Sequence, residues 1–321
     1  MTRPATLIEA LRHFSDADAC IAFLADLRWP DGVVLCPNCG SNEVRFIAAR
    51  HLWECKTKHA KRQFSIKVGT IFEDSPISLD KWLAAMWMIA NDKNGVSSYE
   101  VHRALGITQK SAWFMLHRIR LAMQSETFDK MSGDPIEADE TFVGGKLSNM
   151  HKDKRARIKG TAKRGSVIGK TAVFGLLERR GPKGHSRVRA KIVRNVGRRV
   201  LLPEIRKNVE RGRKVYTDAA LSYTRVGREF EHEFIDHTDA YVRGQVHTNG
   251  LENFWSLLKR AIRGTYVSVE PFHLIQYVDE QVFRYNSRKD NDAGRFRDVS
   301  SGIVGKRLMY KDLIGASTTP A

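Results

Sequence analysis

The feature that most constrains this chain is a set of three cysteines and a histidine at fixed spacing. Cys36-Pro-Asn-Cys39 forms a tight knuckle with Gly40 behind it, Cys55 follows sixteen positions after Cys39, and His59 lies four beyond that. Two short turns carrying four soft or borderline donors make a closed tetrahedral set, the arrangement of a structural Zn²⁺ ribbon. Lys58 stands where a second CxxC would end, so His59 is the expected fourth ligand and His51 the alternative. Only four cysteines are present, too few for a disulfide framework. The fourth, Cys20, sits alone beside Ile21 and Leu24 and is expected in a core. The N-terminus lacks a signal-peptide pattern, and no window approaches the roughly 18 apolar residues of a membrane span. The chain therefore reads as cytoplasmic, with no membrane partner.

Charge points to the partner. There are 54 Lys and Arg against 36 Asp and Glu, a net charge of +18. Between Lys146 and Lys214 stand 23 basic residues and four acids (Asp153, Glu178, Glu204, Glu210), so this block exceeds the excess of the whole chain. A concentration of that size meets a polyanion, and nucleic acid is the expected one. A hydrophobic content of 42% excludes a disordered chain, and the length suggests about two domains.

Along the chain, residues 1–28 read as short helices, 29–74 as the zinc ribbon with β-like runs at 43–47 and 63–68, and 75–125 as helical. Trp82, Leu83, Met86, Trp87 and Ile89 form an apolar stripe at helical spacing. Residues 95–120 read as a helix-turn-helix. Ser97 and Glu100 are placed for a capping box, Gly106 ends the first helix and Thr108 caps the second. The exposed face of the second helix is expected to carry Gln109, Lys110, His117, Arg118 and Arg120, a basic surface suited to a DNA groove. From 134 to 290 the pattern becomes α/β. Strand-like runs lie at 136–143, 168–177, 187–194, 215–218 and 232–235, and helix-like runs at 198–210, 251–262 and 271–284. The polar stretch 146–165 reads as a loop, and 291–321 as a loosely ordered C-terminal tail.

Three acids stand where they can meet at one sheet edge. Asp139 is in the first strand (Ile136-Glu-Ala-Asp-Glu-Thr), Asp218 ends a later strand, and Glu252 is in the first turn of a helix. Carboxylates from separate elements are what two-metal phosphodiester chemistry requires. Glu137 and Glu140 compete with Asp139, Asp218 could form a turn, and Glu252 could close a capping box with Asn249. Lys259 follows Glu252 by two helical turns and shares its face. With Arg260 beside it, it could hold a DNA phosphate.

Taken together, CPNCGS, QFSIKVGTIFEDSPISLDKW, SAWFMLHRIRLAM, IEADETFVGGK, VYTDAALSY and HTNGLENFWSLLKRAIRGTY resemble the bacterial insertion-sequence DDE transposases with an ISXO-like catalytic domain behind a zinc ribbon. The resembling segments run from about residue 20 to 290. The resemblance implies a ribonuclease-H-like catalytic domain and two Mg²⁺ (or Mn²⁺) ions held by Asp139, Asp218 and Glu252, with Lys259 as the basic residue that follows the third acid. Some relatives place Asn third, which makes Asn253 the alternative to Glu252; an anionic oxygen suits Mg²⁺ better than an amide. The expected activity is cleavage and strand transfer of double-stranded DNA, at terminal inverted repeats and at target DNA. Joining two ends calls for a homodimer or larger assembly and places the protein at the bacterial nucleoid. The competing function is a non-catalytic DNA-binding regulator or an inactive derivative.

Overall fold

A computed structural model describes residues 4–124, 129–145, 152–153, 155–156, 169–182, 184–218, 221–223, 225–235 and 246–315. The chain divides into two compact units, residues 1–125 with 287–321, and residues 126–286.

The first unit opens with α1 (Leu7–His13) and α2 (Ala17–Arg28), the latter capped by the Asp16 carboxylate, which accepts from the Asp18 and Ala19 N–H groups. An antiparallel three-stranded sheet follows, β1 (Val44–Ile47), β2 (Leu52–Cys55) and β3 (Gln63–Phe64). Of the expected 63–68 run only the first two residues pair as a strand. Helix α3 (Leu79–Asn91) buries the expected stripe and Ala84, Ala85 and Ala90 besides, so it lies at the centre of its unit rather than on the surface. Helices α4 (Ser98–Leu105) and α5 (Gln109–Met123) form the expected pair. The Ser97–Glu100 capping box is complete, Gly106 takes the left-handed conformation (φ +59°) and the Thr108 hydroxyl accepts from the Ser111 N–H. Cys20 is buried as expected, and its thiol donates to the Phe14 carbonyl at 3.2 Å.

The second unit holds β4 (Ile136–Val143), β5 (Thr171–Glu178), β6 (Arg187–Val193), α6 (Arg198–Asn208), β7 (Lys214–Asp218), β8 (Glu231–Ile235), α7 (Asn249–Ala261) and α8 (Leu274–Asn286). The strands form one mixed sheet in the order β6-β5-β4-β7-β8. β4, β5 and β6 pair antiparallel, and β7 and β8 run parallel to β4. Alternation along β4 and β5 divides the core. Ile136, Ala138, Phe174 and Leu176 pack with Leu201 and Ile205 of α6, while Val173 and Leu177 pack with Leu251, Phe254, Trp255 and Leu258 of α7 and Val278 of α8. The sheet thus carries helices on both faces. The expected loop at 146–165 lies outside the described residues apart from 152–153 and 155–156.

The segment expected as a loose tail is ordered through residue 315. After α8 the chain returns to the first unit as α9 (Asp292–Ser301) and α10 (Tyr310–Leu313). Phe296 is buried against Phe14, Phe23 and Trp87, and the Ile71 N–H donates to the Ile303 carbonyl. A weakly periodic sequence gave no hint of this because few of its residues pack. Among the described residues no helix is long and apolar enough to cross a membrane.

Candidate catalytic and metal sites

Strand register brings the first two acids level. In the parallel pair Ile136 faces Val215 and Glu137 faces Tyr216. Continued along both strands, this register sets Asp139 beside Asp218, on one face of the sheet. Helix α7 packs on that same face through Leu251 and Trp255, and Glu252 lies between them in its first turn. Burial pushes the Asp139 carboxyl up to about 6. Hydrogen bonds from Trp255 and from the Glu140 N–H oppose this, and the charges of Asp218 and Glu252 add to it. Asp139 therefore lies within electrostatic reach of both other acids. Crowded carboxylates of this kind are relieved by a divalent cation, and an all-oxygen donor set suits Mg²⁺ or Mn²⁺.

The competing readings separate cleanly. Glu140 projects to the opposite face, where the Tyr223 hydroxyl donates to it; burial raises its carboxyl to about 7, with the charges of Asp218 and Asp139 adding to the rise. Glu137 shares the face of Asp139 but both its oxygens are engaged, with Arg179 and with the Leu251 N–H. The capping-box reading of Glu252 fails as well, since α7 has Thr248 at its N-cap and no side-chain cap bond. Asn253 is exposed beside Glu252. Lys259, half-buried two turns on, has its ammonium lowered by burial and by Arg263, and is drawn back up by Asp139. Arg260 is exposed next to it.

Sequence reasoning missed the residue that touches Asp139 directly. The Trp255 indole Nε1–H donates to Asp139 Oδ2 at 2.9 Å. Trp255 can lie there because Gly175, paired with Asp139 across β4 and β5, has no side chain. A Cβ at that position would sit 2.7 Å from two carbons of the Trp255 ring. A glycine inside an otherwise apolar strand was the signal available.

The cysteine set closes as expected. One donor atom from each of Cys36, Cys39, Cys55 and His59 lies within 4.8 Å of the others. Cys39 Sγ is 3.6 Å from Cys55 Sγ, and Cys36 Sγ is 3.5 Å from His59 Nε2. A tetrahedral zinc with ordinary bond lengths requires edges of about 3.6–3.8 Å, so the set fits the ion. Burial opposes the Cys55 thiolate, but hydrogen bonds from His59 and Thr57 outweigh it and bring the thiol down to about 6. His59 Nδ1 is 2.6 Å from the Ala60 carbonyl, a contact that fixes its ring and leaves Nε2 for metal. His51 is not part of the set; its Nε2 lies 3.2 Å from Asp18 Oδ1.

The basic face expected on α5 needs correction. Arg118 and Arg120 are 5% and 1% exposed and His117 is fully buried, so none of them presents a DNA-facing surface. Arg118 donates to the carbonyls of Ile71, Glu73 and Leu308 and stacks on Phe114. Burial lowers its guanidinium, and those three carbonyls take up its N–H groups. His117 packs edge-on against Trp113. The reason is tertiary: the returning C-terminal segment and the chain after the ribbon cover this half of α5. Lys110 remains exposed and Gln109 half-buried at the start of the helix.

Residues 130–286 match the ISXO2-like transposase domain, and residues 15–57 match a transposase zinc-ribbon domain. The second match takes in Cys36, Cys39 and Cys55 and ends before His59. An uncharacterized protein in transposable element ISH50 of Halobacterium salinarum is 28% identical over 244 residues, which cover 74% of this chain and 80% of that one.

Proposed function

The chain belongs to the insertion-sequence transposases that carry an ISXO2-like domain behind a zinc ribbon, and on that premise we propose that it binds the ends of its element and performs metal-dependent DNA cleavage and strand transfer at Asp139, Asp218 and Glu252. The observation that carries the proposal is the convergence of these acids, which leaves the Asp139 carboxyl raised by burial and by both neighbouring charges. The sheet order, with three antiparallel strands followed by two parallel to the first, supports a ribonuclease-H-like reading of the domain.

Bound divalent ions would activate a water or 3′-hydroxyl and stabilise the leaving oxygen. The chain's own part is positional. Asp139 and Asp218 offer carboxylates from adjacent parallel strands, Glu252 offers a third from α7, and Trp255 orients the first. Lys259 and Arg260 hold a phosphate beside the acids. The ribbon, with a structural Zn²⁺ in the Cys36, Cys39, Cys55 and His59 shell, and the α4–α5 helix-turn-helix with Gln109 and Lys110 at its entrance, read the end sequence. Two ends must be brought together, so the working form is a dimer or larger. On this reading 29–74 is the ribbon, 75–125 the helix-turn-helix region and 134–290 the catalytic domain, while residues 287–321 share one compact unit with 1–125.

Asp139→Asn tests the proposal. The variant should bind end DNA as the wild type does in a mobility-shift assay and fail to nick it with Mg²⁺ or Mn²⁺. Cleavage at the wild-type rate would remove Asp139 from the site. End binding without cleavage by the wild type itself would favour the non-catalytic regulator.

A further inference from the structure

Helix α7 is tied to β4 at two points. The Leu251 N–H donates to Glu137 Oε2 at 2.9 Å, and Trp255 Nε1–H donates to Asp139 Oδ2 at 2.9 Å. The spacings match: two residues of a strand advance about 6.6–6.8 Å, and four residues of a helix about 6 Å. Glu252 lies between the two ties.

The first tie is built with unusual care. A helix start is ordinarily served by its own N-cap side chain, but Thr248 makes no such bond. A carboxylate from the neighbouring strand takes the free amide instead, and Glu137 is 1% exposed. A buried charge needs further partners. Arg179 supplies them: its Nε donates to Glu137 Oε1 at 2.7 Å and its terminal nitrogen to the His247 carbonyl at 2.8 Å, while the guanidinium lies over the Tyr216 ring. Glu137 and Arg179 thus hold both the first turn of α7 and the residue leading into it. Gly250 allows the approach, since a Cβ there would lie 2.8 Å from Glu137 Oε2 and 2.9 Å from Leu177 Cδ1.

The geometry points to Glu137 as a positioning residue. It caps α7 from β4 and so fixes the height and rotation at which Glu252 and Lys259 meet Asp139. This rests on the reading of Asp139, Asp218 and Glu252 as the metal-holding acids. Glu137 takes no part in the chemistry, because both its oxygens are occupied.

The test uses the full-length, zinc-loaded protein as wild type, Glu137→Gln and Gly250→Ala. Mn²⁺ affinity is measured by titration calorimetry, and end cleavage in single turnover, at a temperature where all three are folded. Both variants should lose Mn²⁺ affinity and cleavage together, by about 10- to 100-fold, with end binding preserved. Glu137→Gln keeps an acceptor for Leu251 and should lose less than Gly250→Ala; if the latter does not fold, the former carries the test. A lowered melting midpoint with wild-type Mn²⁺ affinity and wild-type cleavage would make Glu137 a merely structural cap and overturn the inference. Failure of the underlying reading looks different: Mn²⁺ binding to the wild type would then be indifferent to Asp139→Asn, and the positioning role would fall with it.

Discussion

Gly175→Ala is a sharp probe of the site because two physical effects predict opposite signs. Glycine in a strand loses more backbone freedom on folding than alanine, so the substitution alone should stabilise by about 0.5–1 kcal/mol. Gly175 has no left-handed φ to protect it. The added Cβ, however, would sit 2.7 Å from two Trp255 ring carbons and 3.0 Å from Leu251 Cδ2. Ordinary contact needs about 0.7–1 Å more. The ring cannot yield freely, since Trp255 is 4% exposed and its indole N–H is held by Asp139. Overpacking of this kind costs about 1–3 kcal/mol, which exceeds the gain. Net of the gain, up to about 2.5 kcal/mol remains, and for a unit of this size the melting midpoint should fall by up to about 10 °C. Displacing the indole also removes the donor to Asp139, so cleavage should fall in the folded fraction. Calorimetric melting with and without Mg²⁺, beside a single-turnover cleavage assay, checks both. A midpoint that rises or stays level, with cleavage intact, would refute the packing argument and the role given to Trp255.

Three further outcomes are expected. Arg118→Met leaves the Ile71, Glu73 and Leu308 carbonyls without their donor, at about 1–3 kcal/mol for each buried acceptor. Its unfolding midpoint should drop sharply, whereas a normal midpoint with weakened DNA binding would restore Arg118 to the DNA surface. Elemental analysis should find about one equivalent of zinc per chain. A strong chelator or Cys55→Ser should remove it and alter the fluorescence of Trp53, which neighbours Cys55 in β2 and packs on Trp29 and Phe64; unchanged emission on metal loss would detach the ribbon's packing from the ion. Burial lowers the His232 imidazole below its ordinary value, so the folded state prefers it neutral. That stability is fully present above about pH 6.5 and is lost as pH falls from there toward the lower folded value. Asp139 and Glu140, raised by burial, act in the opposite sense over this window, so the prediction is a difference: between about pH 7.5 and 5.5 the urea midpoint of the wild type should fall relative to that of His232→Gln, and identical slopes would exclude His232 as a source.

The cysteine shell was legible in the sequence because it is a local pattern with a chemical reason, and the three candidate acids because of the elements they fall in. CxxC and the following Cys and His make one tetrahedral set wherever the chain folds between them. Asp139, Asp218 and Glu252 were candidates because one falls in a strand, one at a strand's end and one in the first turn of a helix, places from which separate elements can converge. Their supports were not legible. Trp255 reads as one more apolar residue of an amphipathic helix, and Glu137 as a rival to the acid two residues on. Their roles depend on how closely α7 approaches the sheet, and that distance is set by the missing side chains of Gly175 and Gly250.

Arg118 shows the same limit from the other side. Helical periodicity gives the direction in which a side chain leaves its helix, but not what later arrives there. On α5 alone Arg118 belongs to a polar face suited to phosphate. Residues some 190 positions later return and place the Leu308 carbonyl against it, and the same guanidinium becomes an internal donor. A buried arginine survives only where carbonyls or carboxylates surround it. Lys110, eight residues earlier on the same helix, stays exposed although its ammonium lies over the Tyr310 ring of the same returning segment. Under the proposed function, the part of this helix left to meet DNA is its N-terminal turn, which is also where a recognition helix reads bases.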